Sequence, residues 1–255
     1  KLSCNAYLRG RFGTLADVEP PHVQAVLDTY QHLSPRSLEL IKTYARMVFA
    51  FAVERGYLSE SPVTRAVTIP KRRRKRKIRV LTVPQFDTLS EILDTPSELD
   101  LALRTLLLTG LRVSELLALQ PAHVTQQTLT VEQGVESRYG ERVVTPPKSD
   151  HAYRTISIPP VLAVRLLELP PRAFLFNTGY TAMRDGITRI SEANKLPKTN
   201  LHGLRHSHCT YLLAKGVNVL AVSKRLGHHS PAFTLSVYGH LIPSMNEGIL
   251  AALAA

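Results

Sequence analysis

Cysteine is scarce in this sequence: Cys4 and Cys209 are the only two among 255 residues. Two cysteines do not make a disulfide framework in a chain of this length, so we expect a reducing, cytoplasmic location. Cys209 lies in the apolar run CTYLLA. We expect a buried thiol there and not a redox centre, because free cysteine packs like a small apolar side chain.

Long apolar runs and internal repeats are also absent. No uninterrupted apolar stretch of about 18 residues occurs, which is the length that suggests a membrane-spanning helix. The hydrophobic content of 44% is nevertheless enough to bury a core in one large domain or two modest ones. The sequence thus predicts a chain that folds without disulfides and does not span a membrane.

Acidic residues are few compared with basic ones. The chain has 20 Asp and Glu against 32 Lys and Arg, for a net charge of +12. This charge favours a polyanionic partner, with nucleic acid as the first candidate and an acidic membrane surface as the second. Basic charge is densest in residues 69–79, IPKRRRKRKIR. A run of like charges repels itself into an extended chain, so this segment is predicted to be a linker.

The basic linker is also predicted to contact a nucleic-acid backbone. Each Lys or Arg that binds a phosphate releases counterions, which adds affinity without reading base sequence. The residues predicted to make these contacts are Lys71, Arg72, Arg73, Arg74, Lys75, Arg76 and Lys77. A solvated spacer and a localisation signal are the alternatives for this segment.

Helical patterns lie on both sides of the linker. One predicted helix begins at Ser34 and ends at Gly56. Its apolar positions, spaced by three or four residues, are Leu38, Ile41, Ala45, Val48 and Phe51. We expect residues 1–68 to form a helical domain that lacks its N-terminal part. Residues 80–255 are expected to form the second domain.

The second domain mixes helices with short strands. The leucine-rich segment LDLALRTLLLTG predicts a buried helix that ends at Gly110. Residues 129–131, 142–145 and 153–158 are predicted to be strands. The predicted fold class is therefore mainly α with a small three-stranded antiparallel β-sheet, an α+β fold in two domains.

His202 and Arg205 are three residues apart in LHGLRH and share one face of a predicted helix. The Arg guanidinium matches phosphate oxygens and stays charged, and the imidazole exchanges protons near neutral pH. Tyr238 lies on a short helix that is predicted to begin at Pro231. A phenol has a pKa of about 10, so it needs a nearby positive cluster before it attacks at neutral pH. Simple packing is the alternative role for Tyr238.

Four sequence blocks follow one another in the C-terminal part of the chain. HGLRH, LGHHS and a tyrosine ten positions after His228 resemble the C-terminal signature of the tyrosine recombinases, the phage-integrase family. TGLRVSEL, with Arg112 and Glu115, resembles the first arginine motif of that family. PPKSDHAYRTISIP, with Lys148 six positions before Arg154, resembles the hairpin that carries its catalytic lysine. The shared order and spacing of the blocks make the resemblance specific.

The resemblance implies a site-specific DNA recombinase or integrase that needs no metal ion, ATP or other cofactor. In that family a tyrosine attacks a DNA phosphodiester, which leaves a 3′-phosphotyrosyl link and a free 5′-hydroxyl. Tyr238 would be this nucleophile. Arg112 and Arg205 would bind the nonbridging oxygens, and His228 would hydrogen-bond the phosphate.

The remaining roles follow from the same resemblance. Lys148 would protonate the leaving 5′ oxygen, and Glu115 would orient the first arginine. His202 would accept the proton of the tyrosine. His208 lies where the family more often has an apolar residue, a departure that concerns local packing. Residues 1–68 would be the core-binding domain that precedes the catalytic domain in these recombinases.

The implied partners are double-stranded DNA, further copies of the chain as a tetramer on paired DNA sites, and accessory DNA-bending or directionality proteins. The implied location is the cytoplasm, at the nucleoid, in a prokaryotic or phage setting. Integration, excision and chromosome resolution stay open as the process. The apolar tail residues Ile249, Leu250 and Leu253 dock either in cis or on a neighbouring copy.

Three other functions share some of these sequence features. His202 and His206 are spaced as in a zinc-binding helix, but no Glu adjoins the first histidine, as a zinc protease would require. A DNA-binding regulator would share the charge but has no need of Tyr238. A type IB topoisomerase shares the chemistry and works as a monomer without paired sites.

Overall fold

A computed structural model describes residues 5–69, 80–138, 141–146, 153–228 and 230–238. The chain divides into two compact units, residues 1–76 and 77–255. Three predictions fall outside the described residues: the backbone contacts of residues 71–77, the role of Lys148 and the docking of the C-terminal tail.

The first unit is helical over the residues that the structure describes. Its helices are α1 (Asn5–Leu8), α2 (Pro20–Thr29) and α3 (Pro35–Glu54), with a 3₁₀ turn at Leu15–Asp17. α3 begins where the sequence predicts, because the Ser34 hydroxyl accepts the backbone N–H of Ser37 at 3.1 Å. Gly56 follows the helix with a φ of +73°, a left-handed conformation that ends it.

The buried face of α3 differs from the prediction beyond Ala45. Phe49 and Ala52 are buried, whereas Val48 and Phe51 are exposed. A helix has about 3.6 residues per turn, so two successive steps of three residues rotate away from the buried face. The step of four from Ala45 to Phe49 restores the face.

The second unit contains helices and two small sheets in its described residues. The helices are α4 (Val83–Ile92), α5 (Glu98–Thr109), α6 (Val113–Leu116), α7 (Pro160–Leu167), α8 (Tyr180–Ala193), α9 (Leu201–Ala214), α10 (Val219–Leu226) and α11 (Pro231–Tyr238), with a 3₁₀ turn at Pro121–His123. The strands are β1 (Thr128–Val131), β2 (Gly134–Arg138), β3 (Glu141–Thr145) and β4 (Arg154–Ser157). None of the described helices has the length and apolarity to cross a membrane.

The sheet prediction needs a correction. The described strands form two antiparallel pairs, β1 with β4 and β2 with β3, and not one three-stranded sheet. Leu129 lies opposite Ile156 in the first pair, and Val135 lies opposite Val144 in the second. β2, with the sequence GVESR, was missed because only one of its residues is an apolar strand former; pairing with β3 decides its conformation.

α5 forms the centre of the second unit. Four of its leucines, Leu101, Leu103, Leu106 and Leu107, are buried, and the helix packs against α4, α8 and α9. The helix ends at Gly110, as predicted, with a left-handed φ of +68°. A Cβ at this position would lie 2.6 Å from Cδ2 of His208 and 2.7 Å from Cδ2 of Leu226, so both the backbone and the close packing require glycine.

The start of the second unit is attached to α9. Thr82 and Gln85 cap α4 reciprocally, as the predicted helix start requires. The backbone N–H of the preceding Leu81 donates to the buried Ser207 hydroxyl at 2.9 Å. This bond joins the first residues of the unit to the helix that carries His202 and Arg205.

Gly110→Ala should lower the free energy of unfolding by about 2–4 kcal/mol, since a left-handed alanine costs roughly 1 kcal/mol and overpacking adds about 1–3 kcal/mol. Gly216→Ala is the matched control: φ there is +79°, but nothing lies within 4 Å of the added Cβ. Denaturant unfolding of both variants measures the difference. Equal losses would show that His208 and Leu226 do not restrict Gly110.

Candidate active site

Arg112 follows Gly110 at the turn between α5 and α6. Glu115, one helical turn later, accepts the Arg112 backbone N–H at 2.8 Å and its Nη1–H at 2.7 Å. The Arg112 side chain is 41% exposed, whereas the Glu115 side chain is only 7% exposed. The carboxylate is therefore a buried anchor, and the guanidinium can still be reached by a ligand.

Arg154 lies on β4 and binds the same carboxylate. The sequence had predicted no catalytic role for it. Its Nη1 and Nη2 donate to the two Glu115 oxygens at 3.1 and 2.9 Å. Burial raises the pKa of Glu115, but the hydrogen bonds and charge of Arg154, and then those of Arg112, bring it below its ordinary value. Glu115 thus stays ionised and holds two guanidinium groups.

Arg205 lies on α9 and is 4% exposed. Its Nη1 donates to the Gly110 carbonyl at 2.7 Å, and its Nη2 donates to the Leu226 carbonyl at 2.6 Å. Burial, followed by repulsion from Arg112, lowers the pKa of Arg205 to about 9. The side chain remains protonated at neutral pH, so a buried positive charge lies beside the more exposed one.

Three guanidinium groups meet at the C-terminal turn of α10, each donating to a different one of three successive backbone carbonyls. The pairs are Arg154 with Arg225, Arg205 with Leu226, and Arg112 with Gly227, at 2.7, 2.6 and 3.3 Å. The last carbonyls of a helix lack helical N–H partners and carry partial negative charge, so they favour cations. The end of α10 therefore gathers the cations of the site.

The two predicted catalytic histidines lie near these cations. His228 directly follows the α10 turn, and its Nδ1 is 2.8 Å from the Thr234 hydroxyl on α11. Burial, followed by the charge of Arg205, lowers the pKa of His228 to about 4 and also lowers that of His202. Both rings are neutral at pH 7 and can accept a proton or a hydrogen bond.

Tyr238 is placed at the end of α11, as predicted, but it is only 3% exposed. It packs in an apolar cluster with Cys209, Leu213, Val222 and Leu226. Burial, followed by the neighbouring thiol, raises the pKa of Tyr238 above its usual value despite the charge of Arg205. The expectation that the positive cluster activates the phenol is not met in this conformation, because loss of hydration dominates.

The Tyr238 hydroxyl is hydrogen-bonded to Nδ1 of His206. The His202 ring contacts His206 edge to face, with centroids 4.4 Å apart. The spacing of His206 had indicated only a zinc ligand, and its role as the hydrogen-bond partner of the tyrosine was missed. Its position next to Arg205, four residues after His202, was the available signal. In the described part of the chain, no group of three or more His, Cys, Asp or Glu could hold a metal ion.

Glu115→Gln should lower the free energy of unfolding by about 3 kcal/mol or more at pH 7, because the buried Arg154 loses its counterion and the more exposed Arg112 loses its ion pair. The folded pKa of Glu115 lies below its ordinary value of about 4.3. The contribution of the carboxylate is thus complete above about pH 4.3 and disappears as the pH falls through the folded pKa.

The difference in stability between wild type and Glu115→Gln should therefore shrink on acidification, as measured by denaturant unfolding across pH. Glu132→Gln, at a carboxylate that is 59% exposed, serves as the control and should change stability little. A difference for Glu115→Gln that does not depend on pH would contradict the assignment.

Comparisons with known proteins agree with the four sequence blocks. The sequence model of the phage integrase family matches residues 79–244. The ICEBs1 integrase of Bacillus subtilis is 27% identical over 268 residues, covering 91% of this chain and 70% of the relative. A XerC-like tyrosine recombinase of Caldanaerobacter subterraneus is 24% identical over 268 residues, covering 88% and 67%.

Solved structures establish the fold. The Tn1549 transposon integrase in complex with a circular intermediate DNA superposes with a TM-score of 0.75 at 19% identity, covering 92% of this chain and 85% of that one. A lambda integrase dimer bound to a core site gives 0.66 at 19% identity, with the same coverage. Because the family model matches more than half of the sequence, the chain belongs to the phage integrase family of tyrosine recombinases.

Proposed function

We propose that this tyrosine recombinase cleaves and rejoins double-stranded DNA at specific sites through a 3′-phosphotyrosyl link to Tyr238. The observation that carries the proposal is the meeting of Arg112, Arg154 and Arg205 at one helix end. Two neutral histidines lie beside them. Such an arrangement suits an anion whose charge increases during reaction, and the net charge of +12 suits a DNA partner.

Arg112 and Arg205 would bind the nonbridging oxygens of the phosphate. A guanidinium has five N–H donors, and the two described hydrogen bonds of Arg205 use two of them. Arg112 is the more exposed of the pair and would meet the phosphate first. The pentavalent transition state carries more negative charge on these oxygens than the substrate, so the fixed cations lower the barrier.

Tyr238 attacks in this proposal only after it leaves the arrangement described. Its hydroxyl is buried and bonded to His206, and its raised pKa disfavours the phenolate. Movement of α11 toward the phosphate would bring the hydroxyl out of the apolar cluster and close to the arginines. His202 would then accept its proton, His228 would hydrogen-bond the phosphate, and Lys148 would protonate the leaving 5′ oxygen.

The proposed organisation has a helical core-binding domain in residues 1–68, a DNA-contacting linker in residues 69–79 and a catalytic domain in residues 80–255. Two observations support it: the structure divides into units at residue 76, and the family model begins at residue 79. A tetramer on paired DNA sites is the proposed active assembly, in the cytoplasm at the nucleoid. It would integrate or excise a mobile element, or resolve chromosomes, with accessory DNA-bending proteins.

Tyr238→Phe should abolish covalent protein–DNA complexes and leave DNA affinity unchanged, because only the hydroxyl is lost while the ring still packs. The substrate is a duplex selected from a random-sequence library by binding to the wild-type chain, and complexes are detected on denaturing gels. Tyr211→Phe, on α9 with its ring stacked on Phe86, is the control and should cleave normally. Covalent complexes that persist in Tyr238→Phe would exclude this tyrosine as the nucleophile.

Chelation should leave cleavage unaffected, since fixed guanidinium groups supply the positive charge that a metal ion would supply elsewhere. The measurement is the cleavage rate of the selected duplex in EDTA compared with the rate in excess Mg²⁺. A rate that falls in EDTA and returns with a divalent ion would contradict a metal-independent reaction.

A further inference from the structure

His208 is a buried histidine with no part in the proposed chemistry. It lies three residues after Arg205 on α9 and is 3% exposed. Its Nδ1 is 2.9 Å from the Leu107 carbonyl, and its Nε2 accepts the Nε–H of Arg225 at 3.0 Å. A carbonyl on one side and a guanidinium on the other fix one neutral tautomer, with the proton on Nδ1.

The charge state of His208 agrees with this geometry. Burial, followed by the charges of Arg225 and Arg205, lowers the pKa of His208 to about 3, although the carbonyl of Leu107 opposes the shift. The ring is therefore neutral at any pH at which the protein works. It acts as a fixed donor and acceptor between α5 and α10.

Arg225 extends the connection to two further elements. Its Nη1 donates to the Ser157 carbonyl at 2.9 Å, and its Nη2 donates to the Leu108 carbonyl at 3.3 Å. Its own backbone carbonyl accepts the Nε–H of Arg154 at 2.7 Å. One side chain thus joins the last turn of α10 to β4 and to the last turn of α5.

The joined turns carry the acceptors of both phosphate-binding arginines. Arg205 is held by the Gly110 carbonyl after α5 and by the Leu226 carbonyl of α10. Arg112 is held by the next carbonyl, that of Gly227, the residue that caps α10. A shift of α10 relative to α5 would therefore displace both guanidinium groups.

Stability alone does not account for a polar pair at this place, where His208 is buried and Arg225 is half-buried. Removing an imidazole and a guanidinium from water costs free energy, and apolar side chains of similar volume are often equally stable or more so. A polar pair does supply directional bonds that apolar packing lacks. Here these directional bonds would fix the geometry of the C-terminal turn of α10.

We propose that His208 and Arg225 are positioning residues that hold the C-terminal turn of α10 against α5 and thereby set where Arg112 and Arg205 meet the DNA phosphate. The proposal rests on the proposed function of this site. Neither residue touches the reacting atoms; each acts through the backbone carbonyls that hold the arginines.

The test compares His208→Leu, which keeps the volume but loses both bonds, with His208→Gln, whose amide offers one donor and one acceptor. His208→Leu should bind the selected duplex with wild-type affinity but cleave about 10- to 100-fold more slowly in single turnover, the cost of a small misplacement of catalytic groups. His208→Gln should recover most of the rate. His123→Leu removes a histidine whose described bonds are to Gln120 and Glu132, and it should cleave normally.

Hydrogen exchange gives a second readout that does not require cleavage. The Gly227 and His228 amides donate to the Lys224 and Ser223 carbonyls at 3.0 and 3.1 Å in the α10 turn. Their protection should fall in His208→Leu and return in His208→Gln, with the protection of α4 unchanged. If wild type fails to cleave the duplex, the proposed function fails, and exchange at these two amides still decides the positioning role.

Arg225→Lys keeps the charge but not the forked geometry, and it should reproduce both the slow cleavage and the lost protection. This variant also tests the positioning role if His208→Leu does not fold. If either variant shows the wild-type cleavage rate and wild-type amide protection, His208 and Arg225 only contribute packing, and the proposal is wrong. Slow cleavage in His208→Gln equal to that of His208→Leu would do the same.

Discussion

The unsatisfied carbonyls at the end of α10 are the acceptors on which the site depends. Three arginines from three different elements, β4, α9 and the turn before α6, donate to three consecutive carbonyls. A helix end offers these acceptors without any acidic side chain, and its partial negative charge favours cations. The guanidinium groups are thus held close together by backbone, while the outermost, Arg112, remains accessible.

Holding like charges together in a poorly hydrated place is costly, and Glu115 offsets much of that cost. It is the one buried carboxylate among the described residues of the site, and it binds Arg112 and Arg154 directly. It does not contact Arg205 in any described hydrogen bond, and the lowered pKa of Arg205 reflects burial and the repulsion that remains. Burial, followed by the same positive field, lowers the pKa values of His202 and His228 and keeps both rings neutral at pH 7. One carboxylate therefore leaves a net positive site, which suits a phosphate ligand.

Tyr238 has a different environment from the groups that would act on the phosphate. It sits among apolar side chains, with the buried Cys209 thiol beside it and its hydroxyl on His206. The pKa of Cys209 is raised to about 12 by burial, so the thiol adds no charge to the cluster at neutral pH. In the proposed mechanism, a phenol held in this way would be protected from reaction until α11 moved, so that assembly of the cation site and activation of the nucleophile would be separate events.

The sequence by itself determined the helical character of the chain, the helix ends at Gly56 and Gly110, the family and the candidate residues. These follow from local patterns, from glycine's access to left-handed backbone and from motif spacing. Only the tertiary structure decided that β2 pairs with β3, that His206 is the partner of Tyr238, and that His208 and Arg225 join α5 to α10. These contacts link residues as far as 117 positions apart. Their geometry depends on how the helices pack, and no local pattern encodes it.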